Sequence, residues 1–158
     1  MAVKGPYNTA ALQAGIGDSA RKAELLVWEA VVDHSVAANQ MAVNDTMPLF
    51  KVPAGILVVG ASVETLVVEG AAASVDLGIT GGDVDKYIDG ATVNSLGTVV
   101  AGDAGTAEPS SMETSGFITT AEELVSVLAL GATIDAAKVR YKVIGFDVRD
   151  QLADDSSL

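Results

Sequence analysis

Cysteine is absent from this 158-residue chain, and histidine occurs once, at position 34. The first absence excludes a disulfide framework, a thiolate zinc site and a thiol nucleophile. Aromatic residues make up 4 % of the chain against 49 % hydrophobic, so Val, Ala, Leu and Ile must fill the interior, a composition that suits sheets packed on sheets. Cations are scarce too: 9 Lys and Arg stand against 21 Asp and Glu, a formal net charge of −12. Such a surface repels phosphate backbones, because nucleic-acid binding depends on Lys and Arg displacing counterions, and no direct nucleic-acid partner is expected. Mean hydropathy is +0.39, yet the best apolar run, "AGILVVGA", stops at Ser62, short of the roughly 18 residues a spanning helix needs. No membrane partner is expected. The start "MAVKGPYNTA" has one lysine and no apolar stretch behind it, so it does not read as a signal peptide, and the mature protein is expected to begin there.

Length points to one domain with terminal extensions. Residues 1–23 hold three glycines, one proline and many alanines without an apolar period, which reads as an extended N-terminal arm. Residues 24–150 read as a β-sandwich domain, and 151–158 as a solvated acidic tail. Within the domain, "LLVWEAVV" at 25–32 places Leu26, Trp28, Ala30 and Val32 on one face and Glu29 on the other, a half-buried strand. Pro48 and Pro53 in "MPLFKVPAG" put the next segment at an edge or corner.

From residue 57 the alternation assigns Leu57, Val59, Ala61 and Val63 to one face, with a slip near Glu64 and Thr65 after which Leu66 and Val68 take over. Val75, Leu77 and Ile79 then alternate with Ser74, Asp76, Gly78 and Thr80, and the two segments read as a hairpin. Residues 101–116 are small and polar with a proline, a surface loop. "TAEELVSVLALG" is open between helix, for which Thr120, Glu123 and Gly131 supply cap signals, and buried strand, which its neighbours favour. In "KVRYKVIGFDVR" the pattern passes from Val139, Tyr141 and Val143 to Ile144, Phe146 and Val148, as a bulge near Gly145 would allow. Short strands between Gly- and Pro-rich turns predict an all-β fold, a β-sandwich and plausibly a jelly roll.

Four stretches carry residue types that could support chemistry. "DLGITGGDVDKYIDG" gathers aspartates and glycines, but counting from Asp83 puts Tyr87 at position five and Asn94 at twelve, which breaks the calcium-loop spacing. Its glycines do not lead into Gly-Lys-Ser/Thr either, so no phosphate cradle forms. The expected reading is a surface turn in which Gly81 and Gly82 take positive φ while Asp83, Asp85 and Asp89 make turn bonds and face water. "GIGDSA" at 15–20 fits a dinucleotide string on paper but follows no strand. "GASVE" at 60–64 lacks the last glycine of a nucleophile elbow, and His34 reads as a turn residue. Paired carboxylates could still serve a glycosidase, but so few aromatics leave little to form a sugar cleft. No catalytic residue, cofactor or metal is assigned.

Three stretches, "VPAGILVVGASVETLV", "ASVDLGITGGDVDKYIDGATVNSLGTV" and "AAKVRYKVIGFDV", share an order: a PAG corner opening a strand, an Asp-Leu-Gly strand end leading to a Gly/Asp loop with Asp-x-Asp-x-Tyr-Ile-Asp, and a basic-aromatic closing strand. Over roughly residues 47–148 the chain resembles the head decoration, or cement, proteins of tailed bacteriophages, including cyanophages. The resemblance implies a homotrimeric β-sandwich on the outer surface of the virion that clamps neighbouring major capsid proteins against DNA pressure. On that view the arm carries capsid contacts, with Val3, Lys4, Tyr7, Leu12, Arg21 and Lys22 as the anchors that would offset its ordering entropy; the other reading is an arm that is merely disordered. The alternative function is a non-enzymatic β-sandwich binding module, such as a phage fibre or cell-surface adhesion domain.

Overall fold

The computed structural model describes residues 25–100 and 116–149. They form nine strands: β1 Leu25–Asp33, β2 Thr46–Val52, β3 Ile56–Val67, β4 Ser74–Ile79, β5 Ile88–Thr92, β6 Gly97–Val100, β7 Phe117–Ile118, β8 Glu123–Leu130 and β9 Lys138–Asp147. One sheet has the order β1-β9-β3-β6, with β7 also on β3; the other runs β2-β8-β4-β5. Every pairing is antiparallel. First pairs with last, β2 with β8, β3 with β6, and β4 with β5 at the chain's midpoint, so the chain is one long hairpin rolled into two facing sheets. This is jelly-roll topology.

Between the sheets lies an aliphatic core that includes Val52, Ile56, Val58, Val63, Val75, Leu77, Ile88, Val125, Val127, Val139 and Val143, all 0 to 1 % exposed. Tyr87 and Tyr141 are its largest side chains. β1 alternates as its sequence predicts, with Leu26, Trp28, Ala30 and Val32 turned inward, and 123–130 is a strand with no helical turn. Pro48 lies on an edge strand beside a register shift, where its missing N–H costs no ladder bond.

Three expectations about phase and partner are corrected. β3 and β4 are not a hairpin: β3 belongs to the first sheet and β4 to the second, so Val68–Ala73 crosses between layers. Alternation reports which side chains share a face, not which strand lies alongside. Next, Leu57 and Val59 do not point inward with Ala61 and Val63. The register with β9 shifts between Val58 and Gly60, leaving Val59 as the extra residue of a bulge and placing Ile56 and Val58 inside instead. The slip expected near Glu64 and Thr65 is present as a second register shift, between Thr65 and Val67, but Thr65 stays buried and Val68 is 40 % exposed, so Leu66 and Val68 do not take over the inner face.

Third, β9 carries no bulge at Gly145. Its register with β1 is continuous from Phe146 to Lys138, so Ile144 and Phe146 point outward while Val139, Tyr141, Val143 and Gly145 point in. Glycine at 145 answers a close approach: a Cβ there would lie 2.6 Å from Ile56 Cγ2 and 2.8 Å from the Leu57 carbonyl.

Candidate functional site

The Gly/Asp loop connects β4 to β5 and folds back over its own strand. Gly78 makes this possible, since a Cβ there would sit 2.1 Å from the Val84 carbonyl carbon. Ile79 N–H donates to the Asp83 carbonyl at 2.8 Å and Tyr87 N–H to Leu77 at 2.9 Å. Gly81 takes a φ of 75°, whereas Gly82 does not enter the positive region; Gly82 instead lies tight against Ile79.

The aspartates do not simply face water. Asp83, Asp85 and Asp89 are each half-buried. Asp85 is raised by a hydrogen bond to the Asp83 carboxyl and then by burial. Asp76, 5 % exposed, accepts from Gly90 N–H at 2.8 Å; burial first, and the neighbouring Asp89 and Asp85, push it up to about 6. Among the described residues no group of three or more His, Asp or Glu is placed to hold a metal ion.

The middle of the motif, Lys86-Tyr87, points inward and explains why "DKYID" has that order. Tyr87 is fully buried and donates to Glu123 Oε2 at 2.5 Å, while Lys86 pairs with the other Glu123 oxygen and lies 4.3 Å from the Phe117 ring centroid. Phe117 in turn packs at a tilt on Tyr87. The loop is thus clamped to β7 and β8, and its carboxylates are displayed at one end of the sandwich.

His34 sits in a turn, as expected, but is fully buried. Its Nδ1 faces the Asn39 carbonyl at 2.7 Å, which can only accept, so Nδ1 carries the proton and Nε2 accepts from the Tyr141 hydroxyl at 3.2 Å. Burial holds its pKa below the ordinary value. This is a neutral latch between a turn and β9. Glu69, unremarked in the sequence, is 4 % exposed and accepts the N–H groups of Asp135, Ala136 and Ala137 on one oxygen and Gly70 N–H on the other.

The outer face of the five-stranded sheet is divided in two. One half is a ladder of ion pairs: Arg140 with Glu64 at 2.7 Å and Glu29 at 3.6 Å, Lys142 with Glu29 at 3.4 Å, and Lys138 with Asp33 at 3.9 Å. The other half is apolar. Leu25 and Val27 on β1, Ile144 and Phe146 on β9, Leu57 and Val59 on β3, and Ile118 on β7 all point away from the core, with Leu25 58 % and Val59 44 % exposed. Where β6 ends and β7 has not begun, Val59, Gly60, Ala61, Ser62, Thr98, Val100 and Ile144 line an open hollow of about 330 Å³. The bulge creates this surface by turning Val59 outward, and no alternation rule applied to β3 alone could have found it.

Of the residues singled out in the sequence, Gly81, Gly82, Asp83, Asp85 and Asp89 come together in the loop. Val3, Lys4, Tyr7, Leu12, Arg21 and Lys22 lie outside the described residues, as do 101–115 and the tail.

No protein-family model matches the chain, and no curated protein matches it in sequence. Similar folds occur among solved structures. A chain in the acidic stable capsid structure of Helicobacter pylori bacteriophage KHP30 aligns with a TM-score of 0.51 and 17 % identity over 77 % of this chain and 86 % of that one. A chain of the cyanophage Pam1 capsid asymmetric unit aligns at 0.53 with 12 % identity over 79 % and 86 %. A chain of the capsid of Ralstonia phage GP4 aligns at 0.53 with 17 % identity over 79 % and 83 %. At these identities the likeness is one of fold.

Proposed function

We propose that this protein is a non-enzymatic structural component of a phage virion, a homotrimer on the outer surface of the capsid that cements neighbouring major capsid proteins against DNA pressure. The observation that carries the reading is the jelly-roll likeness to chains of three phage capsid structures over more than three quarters of this chain. It agrees with the motif order that resembles head decoration proteins. Two physical features add support. The apolar half of the outer face offers Val59, Val100 and Ile118, each 41 to 44 % exposed, as material for the three-fold association, at about 1 kcal/mol apiece on burial. The net charge of −12 keeps densely displayed copies soluble.

In this reading the N-terminal arm reaches the coat through Val3, Lys4, Tyr7, Leu12, Arg21 and Lys22, and the clamped Gly/Asp loop is the second contact. Electron microscopy of virions with and without the protein tests it. Repeated density on the shell that disappears with the protein is the expected result; density confined to a fibre or tail would favour an adhesion module instead.

A further inference from the structure

Four strand edges bound the two sheets among the described residues, and they are not alike. β2 carries Pro48, Lys51 and a register shift. β5 is five residues long with Gly90 at a φ of 72°. β6 and β7 are four and two residues long. Each of these has a device that discourages edge-to-edge pairing. β1 has less: it is nine residues long, "LLVWEAVVD", without Gly, Pro, Lys or Arg, its register with β9 is unbroken, and its only charges are Glu29 at the centre and Asp33 at the end. A long, mostly apolar edge with so little protection is a template for another strand.

We propose that β1 is an association edge, at which two copies of this chain pair their β1 strands antiparallel about a two-fold axis at Glu29. In that register the strand sets apolar against apolar at three kinds of pair, while Leu25 meets Asp33 at each end and Glu29 meets Glu29 at the axis. Val27 meets Val31 on the outer face, twice. On the inner face Trp28 meets Ala30 and Leu26 meets Val32, a large side chain against a small one in the first case. The inward side chains of β1 are unfinished business for the single copy: Leu26, Trp28, Ala30 and Val32 all remain half-buried, whereas Val139, Tyr141 and Val143 on adjoining β9 are 0 % exposed. A second β1 alongside would extend the layer over them.

Charge selects the same occupant. In a molecule of net charge −12, most surfaces of two copies repel, but the face flanking β1 is balanced, with Glu29, Asp33 and Glu64 matched by Lys138, Arg140 and Lys142. The two Glu29 carboxylates that approach at the axis each bring two cations with them. The contact leaves the β3, β6 and β7 side free for the three-fold association, so the two can coexist as pairs of trimers, and it does not depend on binding to any coat.

Light scattering and tryptophan emission of the full chain across the micromolar range test the proposal. Trp28 is the only tryptophan, so its emission reports the contact directly. The expected mass is an even multiple of 16.0 kDa, with Trp28 emission moving to longer wavelength as dilution separates the copies. Val27→Lys/Val31→Lys alters two outward side chains, 53 % and 45 % exposed, and should halve the mass and weaken association at least about tenfold, some 1.4 kcal/mol, with cooperative melting retained. A wild-type mass that is an odd multiple, or a folded double-lysine variant that keeps the wild-type mass, would overturn it. A variant that fails to melt cooperatively leaves the wild-type dilution series to decide, and there an emission maximum constant across the dissociation of the assembly overturns it as well.

Discussion

Glu69 Oε2 accepts the N–H of Ala136 at 2.9 Å, and the same oxygen holds the N–H groups of Asp135 and Ala137 on either side of it. The carboxylate thereby organises the turn between β8 and β9, three donors that otherwise have no strand partner. Glu69→Ala should cost about 2–4 kcal/mol in denaturant unfolding, because hydrogen bonds to a buried charge are stronger than neutral ones. Glu69→Gln, which keeps an acceptor oxygen, should recover part of that loss. Equal unfolding midpoints for wild type and Glu69→Ala would contradict the assignment.

Asp76 gives the fold a pH dependence of known sign. Its folded pKa is raised to about 6 from 3.8 by burial, so the folded state binds the extra proton between those values and stability falls as pH rises through that window. Asp76→Asn keeps the acceptor for Gly90 N–H and removes the charge. The variant should be more stable than wild type by about 1–3 kcal/mol at pH 7.5, with the gain gone below about pH 4, where wild-type Asp76 is protonated in both states. Melting curves at the two pH values measure it; a gain of the same size at both would sink the idea.

His34 and Glu69 act in the opposite direction. Burial depresses His34 below 6.5, so acid favours the unfolded state from about pH 6.5 downward until the folded imidazole also charges. For Glu69, burial alone would raise the pKa, but the four backbone N–H groups outweigh it and hold it below 4.5, and that contribution is lost as pH falls through the folded value. Glu69 and His34 therefore make stability rise with pH while Asp76 makes it fall between 3.8 and about 6, and His34→Gln, by removing the opposing rise, should leave the fall towards pH 6 steeper than in wild type.

Calcium should leave the protein unchanged. The Gly/Asp loop is held by Gly78, Lys86 and Tyr87, and Asp76 and Asp85 share hydrogen bonds with neighbouring carboxyls instead of converging on an ion. Millimolar calcium and chelator should give melting temperatures that agree within about a degree, since a ligand binding only the native state raises stability by mass action. Gly78→Ala, by contrast, should lift the loop from β4, lowering the melting temperature and exposing Tyr87 to solvent.

Period-two alternation made β1 and β4 legible as strands, whereas β8, apolar along most of its length, read as a strand only through its neighbours. Alternation failed at the start of β3, where the first of two register shifts makes Val59 an extra residue and reverses the assignments before it, and nothing in "ILVVGASV" marks which of two valines is extra. Strand partners were not legible either: β4 follows β3 in the chain but lies in the facing sheet. The roles of Glu69 and His34 rest on contacts with residues 66 to 107 positions away, which no local spacing encodes. The Gly/Asp loop was readable as a turn because Gly81 and the aspartates carry turn chemistry in themselves; the inward anchors Lys86 and Tyr87 emerged only once β8 brought Glu123 beneath them.

Deleting residues 1–23 should spare the sandwich, whose first strand begins at Leu25, and should weaken attachment to capsids. Loss of apolar burial at Val3, Tyr7 and Leu12 is worth roughly 1–3 kcal/mol for each side chain that is fully buried. Raising ionic strength should weaken attachment only in part, through Lys4, Arg21 and Lys22, because apolar burial is not screened. Equal binding of full-length and deleted forms would move the contact to the Gly/Asp loop.

The role on the capsid stands or falls by co-sedimentation of the tagged full-length protein with DNA-filled capsids that lack it. Saturable binding at a fixed ratio to the coat protein is expected, together with particles that withstand heating better once coated. Full-length protein that remains in the supernatant at every concentration, with its fold intact, would contradict it.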